Sequence, residues 1–272
     1  MNKIRKPAVA GSFYPAEKNK LIDQIKLLLD ITKTNEVYEN ISGLVAPHAG
    51  YLYSGKTAAY AFNTIANKNY ETVIIISPSH REYFPGISIY DGDAYETPLG
   101  ITEINKSVKE KIISESKNIF EGIQGHRNEH AIEVEIPFLQ AVLKDFTIIP
   151  VVMGDQSKIY VDELSQKLAE VIDDKTLIVA SSDLSHFYSR KEAQKLDLNV
   201  KKRIDDFDFN GLQNDLELKN SEACGGGCIV SLMKSAELKN IKKSKVLSYS
   251  DSGDVTRDTS EVVGYLSAVI YN

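Results

Sequence analysis

A chain of 272 residues can bury a substantial core, and with 42% hydrophobic and 26% charged residues it has the makeup of a folded protein, not of a disordered or collagen-like one. The formal net charge of −6 gives no basic field to gather a nucleic-acid backbone, so neither DNA nor RNA is expected as a partner. No apolar run approaches the ~20 residues that span a bilayer and the first thirty residues hold no signal-peptide core. Cys224 and Cys228 lie too close together for a disulfide framework, so a cytoplasmic protein with reduced thiols and no membrane partner is expected.

In chain order, Leu21, Ile25, Leu28 and Leu29 recur at helical spacing and predict an amphipathic helix over 17–30. The run Gly43-Leu44-Val45-Ala46 predicts a short buried strand, followed by a helix over 56–66 and a second buried strand over 72–76. Tyr, Pro and Gly interspersed over 86–100 suggest a hairpin or irregular excursion before a helix over 103–114. A helix over 129–143 leads into a strand over 146–152, a helix over 160–172 and a strand over 176–180. Two further helices are expected over 191–206 and 224–238. The strands over 244–250 and 262–270 follow each other closely and suggest an antiparallel pair at one side of the sheet. Alternating strands and helices predict an α/β fold with a mostly parallel central sheet and helices on both faces. No internal repeat or linker interrupts the chain, so one domain over 1–272 is the expectation.

Polar motifs follow three of these strands directly: Pro47-His48-Ala49-Gly50, Ser77-Pro78-Ser79-His80 and Ser181-Ser182-Asp183-Leu184-Ser185-His186. Ligands of open α/β sheets bind outside the carboxyl ends of the strands, where three of the five histidines therefore converge. A lone loop histidine usually just bonds a carbonyl. Two imidazoles with one anionic ligand, however, make an open site for Fe, Cu or Zn. Cys224 is the candidate third ligand, because Gly225, Gly226 and Gly227 let backbone approach closely and the following helix start would favour a thiolate. Cys228 reads as a small core residue.

His130 falls in the first turn of a helix with Glu133 on the same face; it is either part of an acidic helix start or an acid–base group of the site. Asp183 either orients His186 or caps the turn after its strand. His126, in a Gly/Arg/Asn loop, reads as a surface residue. Gly50 to Thr57 matches the nucleotide-binding P-loop pattern letter for letter. Two tyrosines and a leucine sit where such a loop wraps on phosphate, so the competing reading is that Ser54 caps the next helix while Tyr51 and Tyr53 wall the pocket beside His48.

The set Ala10-Gly11-Ser12-Phe13-Tyr14, Ala46-Pro47-His48-Ala49-Gly50-Tyr51, Pro78-Ser79-His80, Glu129-His130-Ala131-Ile132-Glu133, Ser181 to His186 and Ala223-Cys224-Gly225 resembles the Memo family over essentially the whole chain. The resemblance implies a fold similar to class III extradiol (LigB-type) dioxygenases. It implies His48, His80 and Cys224 as metal positions, with His130, Asp183 and His186 lining the same pocket. It also implies association with an AMMECR-like protein and a radical-SAM protein, as in the system named AmmeMemoRadiSam. Where the dioxygenases use a carboxylate, this chain has Cys224, a softer ligand that favours copper or zinc over the usual two-histidine, one-carboxylate iron chemistry. Arg81, beside His80, is a candidate for attracting an anionic ligand.

Three readings follow. One is a redox enzyme on Fe(II) or Cu of unknown substrate, with His186 or His130 moving protons. Another is a non-enzymatic peptide- or protein-binding module or metal carrier using the same pocket. The third is a zinc hydrolase.

Overall fold

The computed structural model describes residues 3–272. In chain order its elements are β1 (Ile4–Arg5), α1 (Lys18–Ile31), β2 (Gly43–Ala46), α2 (Gly55–Thr64), β3 (Thr72–Pro78), β4 (Ile87–Tyr90), β5 (Ala94–Thr97), β6 (Gly100–Glu103), α3 (Lys106–Ile113) and β7 (Ile119–Gly122). The chain continues through α4 (Ala131–Val142), β8 (Thr147–Met153), α5 (Lys158–Val171), β9 (Thr176–Ser181), β10 (His186–Tyr188), α6 (Arg190–Asp205), α7 (Phe209–Glu217), α8 (Gly226–Leu238), β11 (Lys243–Asp251), α9 (Gly253–Thr256) and β12 (Val262–Tyr271).

The main sheet runs β10-β12-β2-β9-β3-β8-β4-β7, with β11 also paired to β12. Its centre, β2-β9-β3-β8, is parallel, and every residue of β2, β3 and β9 is buried, as expected of strands covered on both faces. Antiparallel strands flank this centre, β12 against β2 and β4 against β8. β1, β5 and β6 form a separate small sheet. Helices α2 and α4 pack on the sheet with α1 against them, while α8 packs on β2, β3 and β9 with α5 and α7 alongside. The Phe62 ring of α2 stacks on Phe138 of α4 at 4.9 Å. Truncating Phe138 to Ala would cost about 3–5 kcal/mol through lost burial and the cavity left behind.

The closing antiparallel pair emerges as β11 and β12. The excursion over 86–100 is β4 plus the start of the β5–β6 hairpin. β7 and α7 carry no clear sequence signal: each is short, and α7 (FNGLQNDLE) buries only Phe209, Leu212 and Asp215.

Three details correct the sequence reading. Tyr51 does not wall a pocket. It is buried between Tyr14 and Phe138, and its hydroxyl donates to Val134 O at 2.7 Å. Tyr53, by contrast, is exposed. His126 is fully buried, with Nδ1 2.8 Å from the Tyr95 hydroxyl and Nε2 3.2 Å from Ser88 O. Ser54 does precede α2, but its hydroxyl donates to Ala49 O and makes no capping bond. The P-loop match has no phosphate cradle behind it: Gly50 packs on the Phe13 backbone, Tyr51 N donates to Phe13 O, and Lys56 is exposed.

Candidate metal centre

β2, β9 and β3 are neighbours in the sheet, so the segments leaving their carboxyl ends are neighbours too. Pro47-His48 leaves β2, Ser182-Asp183 leaves β9, and Ser79-His80 leaves β3. The loop before α8 brings Cys224 onto the same edge. This approach needs glycine at 225, since a Cβ there would lie 2.3 Å from Ser181 O. The loop is pinned by Cys224 N donating to Asp183 O at 3.1 Å and Gly225 N donating to Ser182 Oγ at 2.9 Å. Gln156 braces its far side, donating to Cys224 O at 2.7 Å and accepting from Gly227 N at 2.8 Å.

Ligand atoms of His48, His80 and Cys224 lie within 4.8 Å of one another, and His48 Nε2 is 3.2 Å from Cys224 Sγ. Metal–ligand bonds of about 2.0–2.3 Å fit such separations. Each histidine has its other ring nitrogen engaged: His48 Nδ1 is 2.8 Å from Ser181 Oγ, and His80 Nδ1 is 2.9 Å from Glu129 Oε1. Burial would raise the Glu129 carboxyl, but the His130 and His80 side chains against it outweigh that and hold the group well below the usual carboxylate range. An ionised carboxylate only accepts, so His80 Nδ1 carries a hydrogen, and Nε2 is the ring nitrogen turned to the would-be ion.

His48 is held neutral, its pKa lowered well below 6.5 by burial and by the neighbouring His80 and His130. The helix start does not make Cys224 a thiolate: burial and the adjacent Asp183 push the thiol up, and the backbone donors at Asp183 and Gly225 only partly offset them. A metal would therefore have to displace the thiol proton, which coordinated cysteine readily gives up.

The other expected residues are placed less uniformly. His130 precedes α4, its ring stacked 4.7 Å from that of His80 and 4.9 Å from Phe13. Its Nδ1, 3.2 Å from Glu129 Oε1 but off the line of a hydrogen bond, has no hydrogen-bond partner among the described residues. Asp183 does not orient His186; its Oδ1 accepts from His48 N at 2.8 Å and so fixes the turn that carries His48. His186 opens β10, half-buried at an irregular register against β12, and its backbone N donates to Glu222 Oε1 at 3.1 Å. Cys228 is fully buried with Sγ 3.8 Å from Met153 Sδ, a core residue as expected. Arg81 is exposed and lines a cavity of about 510 Å³ with Arg127, Asn128 and Glu129, beside His80.

Sequence reasoning gave no role to Glu129, Ser181 or Glu135. Ser181 Oγ lies 2.6 Å from Glu135 Oε1 and 3.3 Å from Ala131 O. The available signal was the α4 sequence itself, AIEVEIPFLQAV, in which two glutamates interrupt an apolar run that buries them both.

An α/β protein with a two-histidine, one-cysteine constellation at its strand ends is thus the class that fold and site define. The Memo-like protein family model matches residues 5–269, and the chain belongs to that family. It is 40% identical over 267 residues to a MEMO1 family protein of Thermoplasma volcanium, covering 98% of each chain. A MEMO1 family protein of Nitrosopumilus maritimus is 36% identical over 268 residues, covering 96% of this chain and 98% of the relative. Among solved structures, an uncharacterized protein of Escherichia coli K12, JW3007, matches with TM-score 0.53 at 10% identity over 85% of this chain and 99% of that one, a likeness of fold alone.

Proposed function

We propose that this chain is a metalloprotein that holds one Fe(II) or Cu ion on His48, His80 and Cys224 and uses it in redox chemistry on a small-molecule substrate. The observation that carries the reading is the state of the two imidazoles. Both Nδ1 atoms are engaged within 3 Å, the His48 Nε2 lies 3.2 Å from the Cys224 sulfur, and these ligand atoms are mutually close enough for one ion. The donor set supports it as well, since a thiolate with two imidazoles leaves coordination positions for water or substrate. Such a metal would supply a redox couple and Lewis acidity.

The chain's own residues would do the rest. Glu129 keeps the His80 ring oriented through Nδ1, with Nε2 toward the ion. Asp183 holds the His48 turn through the backbone. His130, its ring stacked on that of His80 and 5.4 Å from that of His48, is the side chain beside the ligands that would move protons. Arg81 gives the adjoining cavity a cation for an anionic substrate group. An AMMECR-like protein and a radical-SAM protein are the partners the family association suggests, in the cytoplasm.

The test is to load metal-free protein anaerobically with Fe(II), Cu(I) or Zn and follow oxygen uptake with a panel of phenols and thiols. Turnover with Fe or Cu but not Zn, lost in His130→Ala with metal retained, is the expected result. Tight metal binding without turnover of any panel member would favour the carrier or binding-module reading, and hydrolysis of model esters by the zinc form alone would favour the hydrolase.

A further inference from the structure

Two glutamates of α4, Glu133 and Glu135, are fully buried, and among the described residues only the first has a counter-charge: Arg5 lies 2.6 Å from Glu133 Oε2. Glu135 has a single hydrogen-bond partner, Ser181 Oγ at 2.6 Å, and its Oε2 has none among the described residues. An apolar side chain of the same length would fill this place without the cost of a half-satisfied buried carboxyl, so packing gives no reason for a glutamate here. The reason lies one bond further on, because the same Ser181 hydroxyl is 2.8 Å from Nδ1 of His48.

We propose that Glu135 is a positioning residue for the metal centre: acting through Ser181, it holds the His48 imidazole in the tautomer with hydrogen on Nδ1, leaving Nε2 bare toward Cys224. The inference rests on the metal-centre reading for its purpose but not for its geometry. The serine hydroxyl has one hydrogen and two lone pairs. If Glu135 is ionised, the hydrogen goes to Oε1 and a lone pair faces His48. If Glu135 is neutral, as its burial and the neighbouring Asp183 favour, its proton sits on Oε1, where Ser181 Oγ can accept it, since Oε2 has no hydrogen-bond partner among the described residues. The serine hydrogen then turns to Ala131 O at 3.3 Å, and its second lone pair again faces His48. In both charge states Ser181 presents an acceptor, so His48 Nδ1 must be the donor. Without Glu135, the nearer acceptor for the serine hydrogen is His48 Nδ1 itself, at 2.8 Å against 3.3 Å for Ala131 O. Histidine would then move its hydrogen to Nε2 and cap the atom that should bind the ion.

The experiment combines imidazole ¹⁵N–¹H NMR of the metal-free chain with Zn²⁺ and Co²⁺ competition titrations of wild type, Glu135→Leu, Glu135→Gln and Ser181→Ala. In wild type the His48 signal should report hydrogen on Nδ1. In Glu135→Leu it should shift toward Nε2–H, with metal affinity weakened about 10- to 100-fold. Glu135→Gln, whose amide still donates to Ser181, should restore both to within about threefold. An unshifted tautomer and wild-type affinity in Glu135→Leu would overturn the proposal. If that variant does not fold, unchanged tautomer and affinity in Ser181→Ala would overturn it equally. A tautomer shift in a protein that binds no metal even as wild type would sink the metal-centre reading and leave the positioning role intact.

Discussion

Two polar clusters, one buried and one partly open to solvent, draw alternately on the same short stretch, residues 126–135, and they treat their polar atoms in opposite ways. In the first, Glu133 accepts from Arg5, from Ala8 N and Val9 N, and from the Tyr14 hydroxyl, while Arg5 also donates to His126 O and Glu129 O and His126 bonds Tyr95 and Ser88. In the second, His48, His80 and Cys224 bring their ligand atoms within 4.8 Å of one another, and His130 Nδ1 and Glu135 Oε2 have no hydrogen-bond partner among the described residues. A closed network holds the N-terminal segment to α4; an open one leaves donor atoms for something absent from the chain. The difference separates a structural histidine from a ligand candidate, and residue type alone does not.

The largest expected effect breaks the closed cluster. Arg5→Leu leaves the Glu133 charge buried without its cation, and urea denaturation should show a loss of about 3–5 kcal/mol. The acid limb of stability comes next. Burial lowers the His126 pKa from 6.5 to about 3 in the folded chain. The unfolded chain binds the extra proton between those values, so stability falls as pH falls through that window, by about 1.4 kcal/mol per pH unit from this residue. The difference in unfolding free energy between pH 6 and pH 5 should therefore shrink by about that amount in His126→Gln, read by urea denaturation at both pH values.

How much of this was legible follows from the same contrast. The buried strand runs and the helix periods fixed the order of the central elements, because burial on both faces writes itself as unbroken apolar sequence. His48, His80 and Cys224 stood out because each follows a strand or opens a helix. His126 did not, since its partners Tyr95, Ser88 and Arg5 come from distant strands. Asp183 was read toward its neighbour His186 in sequence, whereas the fold turns it to His48, 135 residues away. Tyr51 followed a plausible motif, but the turn after His48 directs its ring inward against Phe138.

Smaller effects sharpen the open cluster. With the thiol of Cys224 raised by burial and Asp183, each metal bound should release about one proton, so apparent affinity should rise about tenfold per pH unit near neutrality, measurable by indicator dye in weak buffer. Glu129→Gln replaces the acceptor of His80 Nδ1 with a weaker one and should weaken metal binding about tenfold or more. Cys228→Ala should cost about 1 kcal/mol of packing in denaturation and leave metal affinity unchanged, because its sulfur faces Met153.

The central claim is that the open cluster is a metal centre, and elemental analysis of anaerobically purified protein tests it most directly: wild type beside His48→Ala, Cys224→Ser and, from the closed cluster, Tyr95→Phe. About one Fe, Cu or Zn per chain in wild type and Tyr95→Phe, lost in the other two, is the predicted result. A wild type that takes up no metal after reconstitution, or a Cys224→Ser chain that keeps a full complement, would contradict it.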